Sequence, residues 1–291
     1  MNRQAEANHL ESVLSEASDE DHDSAGILAR VRSIAFRVLV VLFSLFLIAA
    51  FNLIFAFVIL MLLPESALAS IFGPGADLSE LAHRIHMFTL SVFLWGMLIG
   101  TVLQLRRAED KIGPMLMALA VPISLFIGEL AGGIYTVGGT APILLPLVVI
   151  ALLHPKRGEL FRIRRLNWPM VGLTVVVLGL LTPYASRHLQ LQRMGIEGDL
   201  HGQAGHWSYM VSFVILIGLW ALIGSTDRKG WMLPAIAASI ASVILAIQSL
   251  LYPDYYSAVD AVMATAMILW AILFIAASVR RARTDTVNSR S

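Results

Sequence analysis

A chain of 291 residues with 57% hydrophobic side chains, only 14% charged ones and a mean hydropathy of +0.76 is too apolar for a soluble domain of its length. The net charge of +1 carries no nucleic-acid signature, and no basic cluster interleaved with aromatics exists. The absence of cysteine excludes disulfides, thiolate metal sites and cysteine nucleophiles together, and leaves the redox compartment open.

In chain order, residues 1–26, MNRQAEANHLESVLSEASDEDHDSAG, are polar and acidic, with no apolar core of a signal peptide. They read as a disordered cytoplasmic tail in which His9 and His22 are solvated. Apolar runs of about 20 residues follow, and they predict eight membrane-spanning helices. These run over 33–63, 82–105, 113–134, 140–154, 168–187, 206–224, 231–251 and 257–278. The short alternating segments of a transmembrane barrel are not seen.

Lys and Arg set the expected orientation. ARVRSIAFR, LRRAEDK, HPKRGELFRIRR, STDRKG and VRRAR all fall on one side if both termini are cytoplasmic, whereas the opposite loops hold chiefly Arg187 and Arg193. The expected location is therefore a bacterial plasma membrane with both termini inside. That orientation sends His83, His86, His188, His201 and His206 to the outer face. His154 is left alone at the inner end of the fourth helix, where it reads as an interfacial residue beside PKR.

The chain also repeats itself. LARVRS before the first helix matches LFRIRR before the fifth, and DLSELAHRIHM before the second matches DLHGQAGHWSYM before the sixth. The predicted fold class is thus an all-α polytopic membrane protein: eight transmembrane helices as two tandem four-helix bundles with a parallel pseudo-twofold repeat. The halves are 27–158 and 159–280, and 281–291 is a second cytoplasmic tail. His83 and His206 become pseudo-equivalent.

Ionisable groups within a membrane mark candidate sites. Glu80, His83 and His86 share one helical face at the start of the second helix. That face suits a haem site, a metal or proton site, or a plain interfacial helix start. Glu129, in LFIGELAGGIYTVGG, is a carboxylate expected to be protonated or paired with His or Arg. Its neighbouring glycines suit close helix approach or a tight turn. Arg187 and His188 close the fifth helix, where the Arg either snorkels or pairs with a propionate. A divalent metal would draw on His83, His86, His201 and Glu129. Trp207, Tyr209, Tyr255 and Tyr256 read as an interfacial belt.

Together these strings resemble heme A synthase. ELAHR, Glu80 to Arg84, looks like that family's Glu-x-x-His-Arg motif. GELAGGIYTVGGTAPILLPL is similar to its glycine-rich third-helix exit, TPYASRH to the string closing its fifth helix, and AGHW lies where its sixth-helix Gly-His-Arg falls. The resemblance implies haem as cofactor, Glu80 as the catalytic or ligand-orienting carboxylate, and His83 and His206 as axial ligands. Arg84, Arg187 and His188 complete the haem surroundings. It further implies oxidation of a haem methyl group, with respiratory oxidase or haem-pathway proteins as partners and lipid as surroundings. The chain departs from the family at the fourth and eighth helices, where Val148 and the pair Met263 and Met267 stand in place of partner histidines. Readings without haem are a metal-binding or proton-relaying protein using the outer His, Glu and Asp groups, and a scaffold subunit without chemistry.

Overall fold

The computed structural model describes residues 26–52, 83–134, 137–162, 165–195, 202 and 205–288. Among the described residues the regular structure is helical, without a strand. The main helices are α1 (Gly26–Asn52), α2 (His83–Val102), α3 (Ile112–Gly132), α4 (Val137–Leu153), α5 (Trp168–Met194), α6 (His206–Gly224), α7 (Met232–Leu251) and α8 (Ala261–Asn288). Seven of them are long and apolar enough to cross a membrane, and α4 is apolar but shorter. The protein is an integral membrane protein.

Local sequence explains where several helices stop. Asn167 accepts a hydrogen bond from the amide of Met170, with Pro169 in the first turn, so α5 begins at NWP. Gly133 ends α3 at φ 78°. Its N–H bonds the Leu130 carbonyl, and the N–H of Ile134 bonds that of Glu129. Polarity does not end α5 at Arg187, as predicted. The stretch RHLQLQRM holds good helix formers, and the helix runs on to Gly195, at φ 55°. Likewise α8 begins at Ala261 and continues to Asn288, past the predicted end at 278. Its Arg281 lies 4.1 Å over the Trp231 ring and donates to the carbonyls of Gly224 and Thr226, which ties this segment to α6 and α7.

The helices α5, α6, α7 and α8 close a ring in which each packs on the next and α8 returns to α5. In the first half, α3 packs between α2 and α4. The halves meet mainly through α3 on α6, with α2 on α7 beside it. The principal contact is built from small residues. A β-carbon on Gly128 would collide with the Ser212 hydroxyl, and one on Gly132 with that of Ser208. The Gly-x-x-x-Gly row of α3 thus fits a Ser-x-x-x-Ser row on α6, which lets the backbones approach closely. Nearer the middle, the Trp220 ring fills the space that Gly96 leaves open, and its indole N–H donates to the Met117 carbonyl at 2.9 Å. α1 joins through one stripe, Phe36, Val40, Phe43 and Leu47, and exposes most of its other large side chains.

The end of the molecule where α1 begins and α8 finishes is knit by hydrogen bonds to backbone. Arg228 donates to the carbonyls of Glu159, Leu160 and Arg162, capping the short helix Arg157–Phe161. Loop 165–167 pairs with loop 225–227 through an isolated Leu166–Thr226 bridge and the bond from the Asn167 amide to the Ser225 carbonyl. His154 belongs to this network. It is not the interfacial histidine expected: it is fully buried, and its Nε2–H is shared between the Gln104 side chain (3.2 Å) and the Ala108 carbonyl (3.1 Å), while Nδ1 accepts from the Lys156 amide. The imidazole satisfies polar groups at a helix junction that apolar side chains would leave unpaired.

Candidate functional site

The opposite end gathers imidazoles and aromatic rings from both halves. α2 contributes His86, α5 contributes Tyr184 and His188, α6 contributes His206 and Trp207, and the α7–α8 connection contributes Ser257. The His86 and His206 rings meet edge to face with centroids 5.1 Å apart. Trp207 lies against both His86 (5.9 Å) and His188 (5.6 Å). Ser257 links the elements: its hydroxyl hydrogen-bonds the Nε2 of His86, and its carbonyl accepts from the Tyr184 hydroxyl at 2.8 Å. His86, Tyr184, His188, Trp207 and Ser257 are all buried.

His188 has a defined tautomer. Its Nδ1 is 2.9 Å from the Tyr184 carbonyl, an oxygen that can only accept, so Nδ1 carries a proton. In the neutral ring Nε2 then presents a lone pair, and this buried atom has no hydrogen-bond partner among the described residues. An N–H held by a carbonyl opposite a vacant nitrogen is the usual arrangement of a metal-ligating histidine. Beside it, Arg187 is exposed, with its guanidinium 5.9 Å from the Tyr256 ring.

The remaining predicted residues separate into three groups. Glu129 is buried, but its partner is neither His nor Arg: it accepts from the Thr140 hydroxyl at 2.6 Å. His83 and Arg84 open α2 with side chains outside the described set. Glu80 and His201 lie outside the described residues. The four-residue metal set His83, His86, His201 and Glu129 therefore falls partly outside them, and among the described residues no three His, Asp or Glu side chains group as metal ligands.

For haem, the fit differs by residue. His188 meets the requirement of a ligand. The His86 and His206 rings touch edge to face and leave no space between them for a macrocycle, so as they stand they would not hold one haem between them. Met267 is fully buried in the apolar core, and Met263 packs against it.

Two members of the cluster escaped the sequence reading. Ser257 sits in YPDYYSA, where no periodicity marks it. The sequence places Trp207 in an interfacial belt with Tyr256, yet Trp207 is 6% exposed and Tyr256 67%. Only the buried ring lies among the histidines. The adjacency of Trp207 to His206 was the available signal.

The fold and this site define an all-helical polytopic membrane protein with a buried histidine and aromatic cluster at one end of its helices. No family model, curated protein or solved structure matches the chain.

Proposed function

We propose that the protein binds haem and acts, like heme A synthase, in haem modification, electron transfer or the assembly of a terminal oxidase. The observation that carries this reading is His188, a buried imidazole with one nitrogen committed to the backbone and the other left with a lone pair. Arg187, exposed at the next position, supplies a guanidinium for a propionate. Trp207 and Tyr184 keep water from the ring. Bound haem would supply redox chemistry; the chain supplies a ligand, a counter-charge and a dry surrounding. His83 and His206 stay in the proposal as ligands, Glu80 as the carboxylate, and Arg84 as a second propionate partner. Respiratory oxidase or haem-pathway proteins are the partners.

The finer architecture belongs to the same proposal: eight crossings in two parallel halves, with both termini on the cytoplasmic side of a bacterial plasma membrane. It is supported by the closed ring of α5 to α8 and by the contacts between halves. Exchanging the halves turns the α3–α6 contact into α7–α2, and both contacts are present.

The test is an absorption spectrum of detergent-purified protein from haem-replete cells, oxidised and then dithionite-reduced. His188→Ala, His83→Ala and His206→Ala are measured alongside. A Soret band that weakens or shifts in His188→Ala supports the reading. A band indifferent to His188 but lost with His83 moves the ligand to α2, and a colourless protein overturns haem binding.

A second reading, a proton relay without haem, is favoured by the hydrogen bond between the Ser257 hydroxyl and His86 Nε2, two groups that can each give and take a proton, beside the His206 ring. It predicts proton uptake by vesicles containing the protein, lost in His86→Ala and Ser257→Ala.

A further inference from the structure

A cavity of about 380 Å³ opens at the other end of the molecule, between the first turns of α1 and the α2–α3 connection. Its rim carries Arg32 and Arg37 from α1 and Arg107 from the connection, opposed by a single acid, Glu109. None of the three arginines forms an ion pair with a described residue. The floor is different. Phe36 and Gln104 are buried there, and both Gln104 amide hydrogens are bound by the carbonyls of Gly100 and Lys111, while its oxygen faces the His154 Nε2. The floor is thus satisfied internally, whereas among the described residues the rim arginines have no ion-pair partner within contact distance, and Asp110 acts on Arg107 only at longer range.

Two further observations give the cavity a place and a shape. The described part of α1, 27 residues, has a length of roughly 40 Å at the α-helical rise, against a hydrocarbon thickness of about 30 Å. Its arginine-bearing end therefore reaches headgroup level. Arg107 is also the one non-glycine residue at positive φ (50°) among those described, a backbone conformation that L-residues avoid. Strain of that kind is held in place by its surroundings and concentrates at ligand sites. Here it sits beneath a side chain that lines the cavity.

We propose that this cavity binds a phosphate group, that of an anionic phospholipid headgroup at the membrane surface. Three guanidiniums suit the several oxygens of a phosphate, which pair with Arg in bidentate fashion. A basic cavity between membrane helices at headgroup depth is a recurrent lipid-binding arrangement. Glu109 disfavours a fully buried dianion and suits a singly charged phosphodiester.

The full-length protein, delipidated in detergent, is titrated with phosphatidylglycerol, with phosphatidylcholine of the same chain length, and with inorganic phosphate. Bound lipid is counted by native mass spectrometry. The cavity variant is Arg32→Gln/Arg37→Gln/Arg107→Gly. The control is Arg30→Gln/Arg106→Gln/Arg283→Gln, which removes equal charge from exposed positions outside the cavity. Wild type and control are expected to prefer phosphatidylglycerol, with binding to the cavity variant weakened roughly fivefold for each charge removed. Arg107→Gly alone is expected to raise the melting temperature of the lipid-free protein while weakening lipid binding, a combination that a purely structural arginine would not give. If inorganic phosphate binds in a way that depends on the three arginines and phosphatidylglycerol shows no preference, the same chemistry is served by free phosphate. Equal phosphatidylglycerol binding by cavity and control variants, or no preference for either phosphate source over phosphatidylcholine, overturns the proposal.

Discussion

Gly128 on α3 faces Ser212 on α6 with no room for a β-carbon between them, and Gly132 repeats the relation with Ser208 one turn further on. The two halves are therefore held by backbone proximity. Gly128→Leu is expected to cost about 1–3 kcal/mol or more through overpacking, read as a lower melting temperature in detergent. Gly172→Ala is the contrasting case. Gly172 lies in α5 with nothing within 4 Å of an added β-carbon, so the change should stabilise by up to about 1 kcal/mol.

Two adjacent cations in the α6–α7 loop should behave differently. Arg228 donates to three backbone carbonyls, and Arg228→Ala is expected to cost about 2–3 kcal/mol by stripping charged donors from the Arg157–Phe161 helix. Lys229 pairs with Asp110 at 2.7 Å, and both side chains are well exposed. The Lys229 ammonium holds the Asp110 carboxyl below its usual range, but in solvent, so Lys229→Ala should leave the melting temperature nearly unchanged. Equal losses in the two variants would refute the distinction.

His154 should make stability pH-dependent. Burial pushes its pKa below the ordinary 6.5, against the opposing pull of the Ala108 carbonyl and Glu109. Above 6.5 the ring is neutral in both folded and unfolded chains, and it adds no pH dependence. Below 6.5 the unfolded chain takes up a proton that the folded one refuses, so stability falls with pH until the lowered folded pKa is passed. The measurement is the melting temperature of wild type and His154→Gln between pH 8 and pH 5. The variant should show a shallower decline, and parallel curves would assign the acid sensitivity to other groups.

Tyr184→Phe should cost about 0.5–1.5 kcal/mol, because it removes the one hydroxyl that binds the buried Ser257 carbonyl. Hydrogen exchange in the α7–α8 connection should rise with it. Unchanged protection there would mean that the bond does not hold the connection against α5.

The apolar runs were legible because a membrane helix announces itself by composition over many residues. Its ends are set by other physics. α5 continues through polar RHLQLQRM because helix propensity and a terminal glycine decide its length, and α8 continues through 281–288 because Arg281 anchors it. The outer histidines were legible as a group, but their partners were not. His86 meets His206 because the halves pack through the glycines of α3 and the serines of α6, residues more than 70 positions apart, and His188 meets Trp207 because α5 packs on α6. His154 shows the same limit. Nothing local distinguishes a histidine at a lipid interface from one that bridges a buried glutamine and a loop carbonyl.

The uneven burial of the helices implies an order of assembly. In α1, 28% of the most apolar stretch is buried, whereas the figure for α6 is 72%. α1, the earliest of the seven long apolar helices, is thus suited to lie alone in lipid, as is α5 with the same share buried, and α1 needs later segments along only a single stripe. α6 carries His206, Ser208 and Ser212 into the bilayer and finds its match in the glycine row of α3, a segment synthesised well before it. Until α6 is present, the glycine row of α3 has no serine row to fit, so docking of α6 completes a surface that the first half alone leaves open.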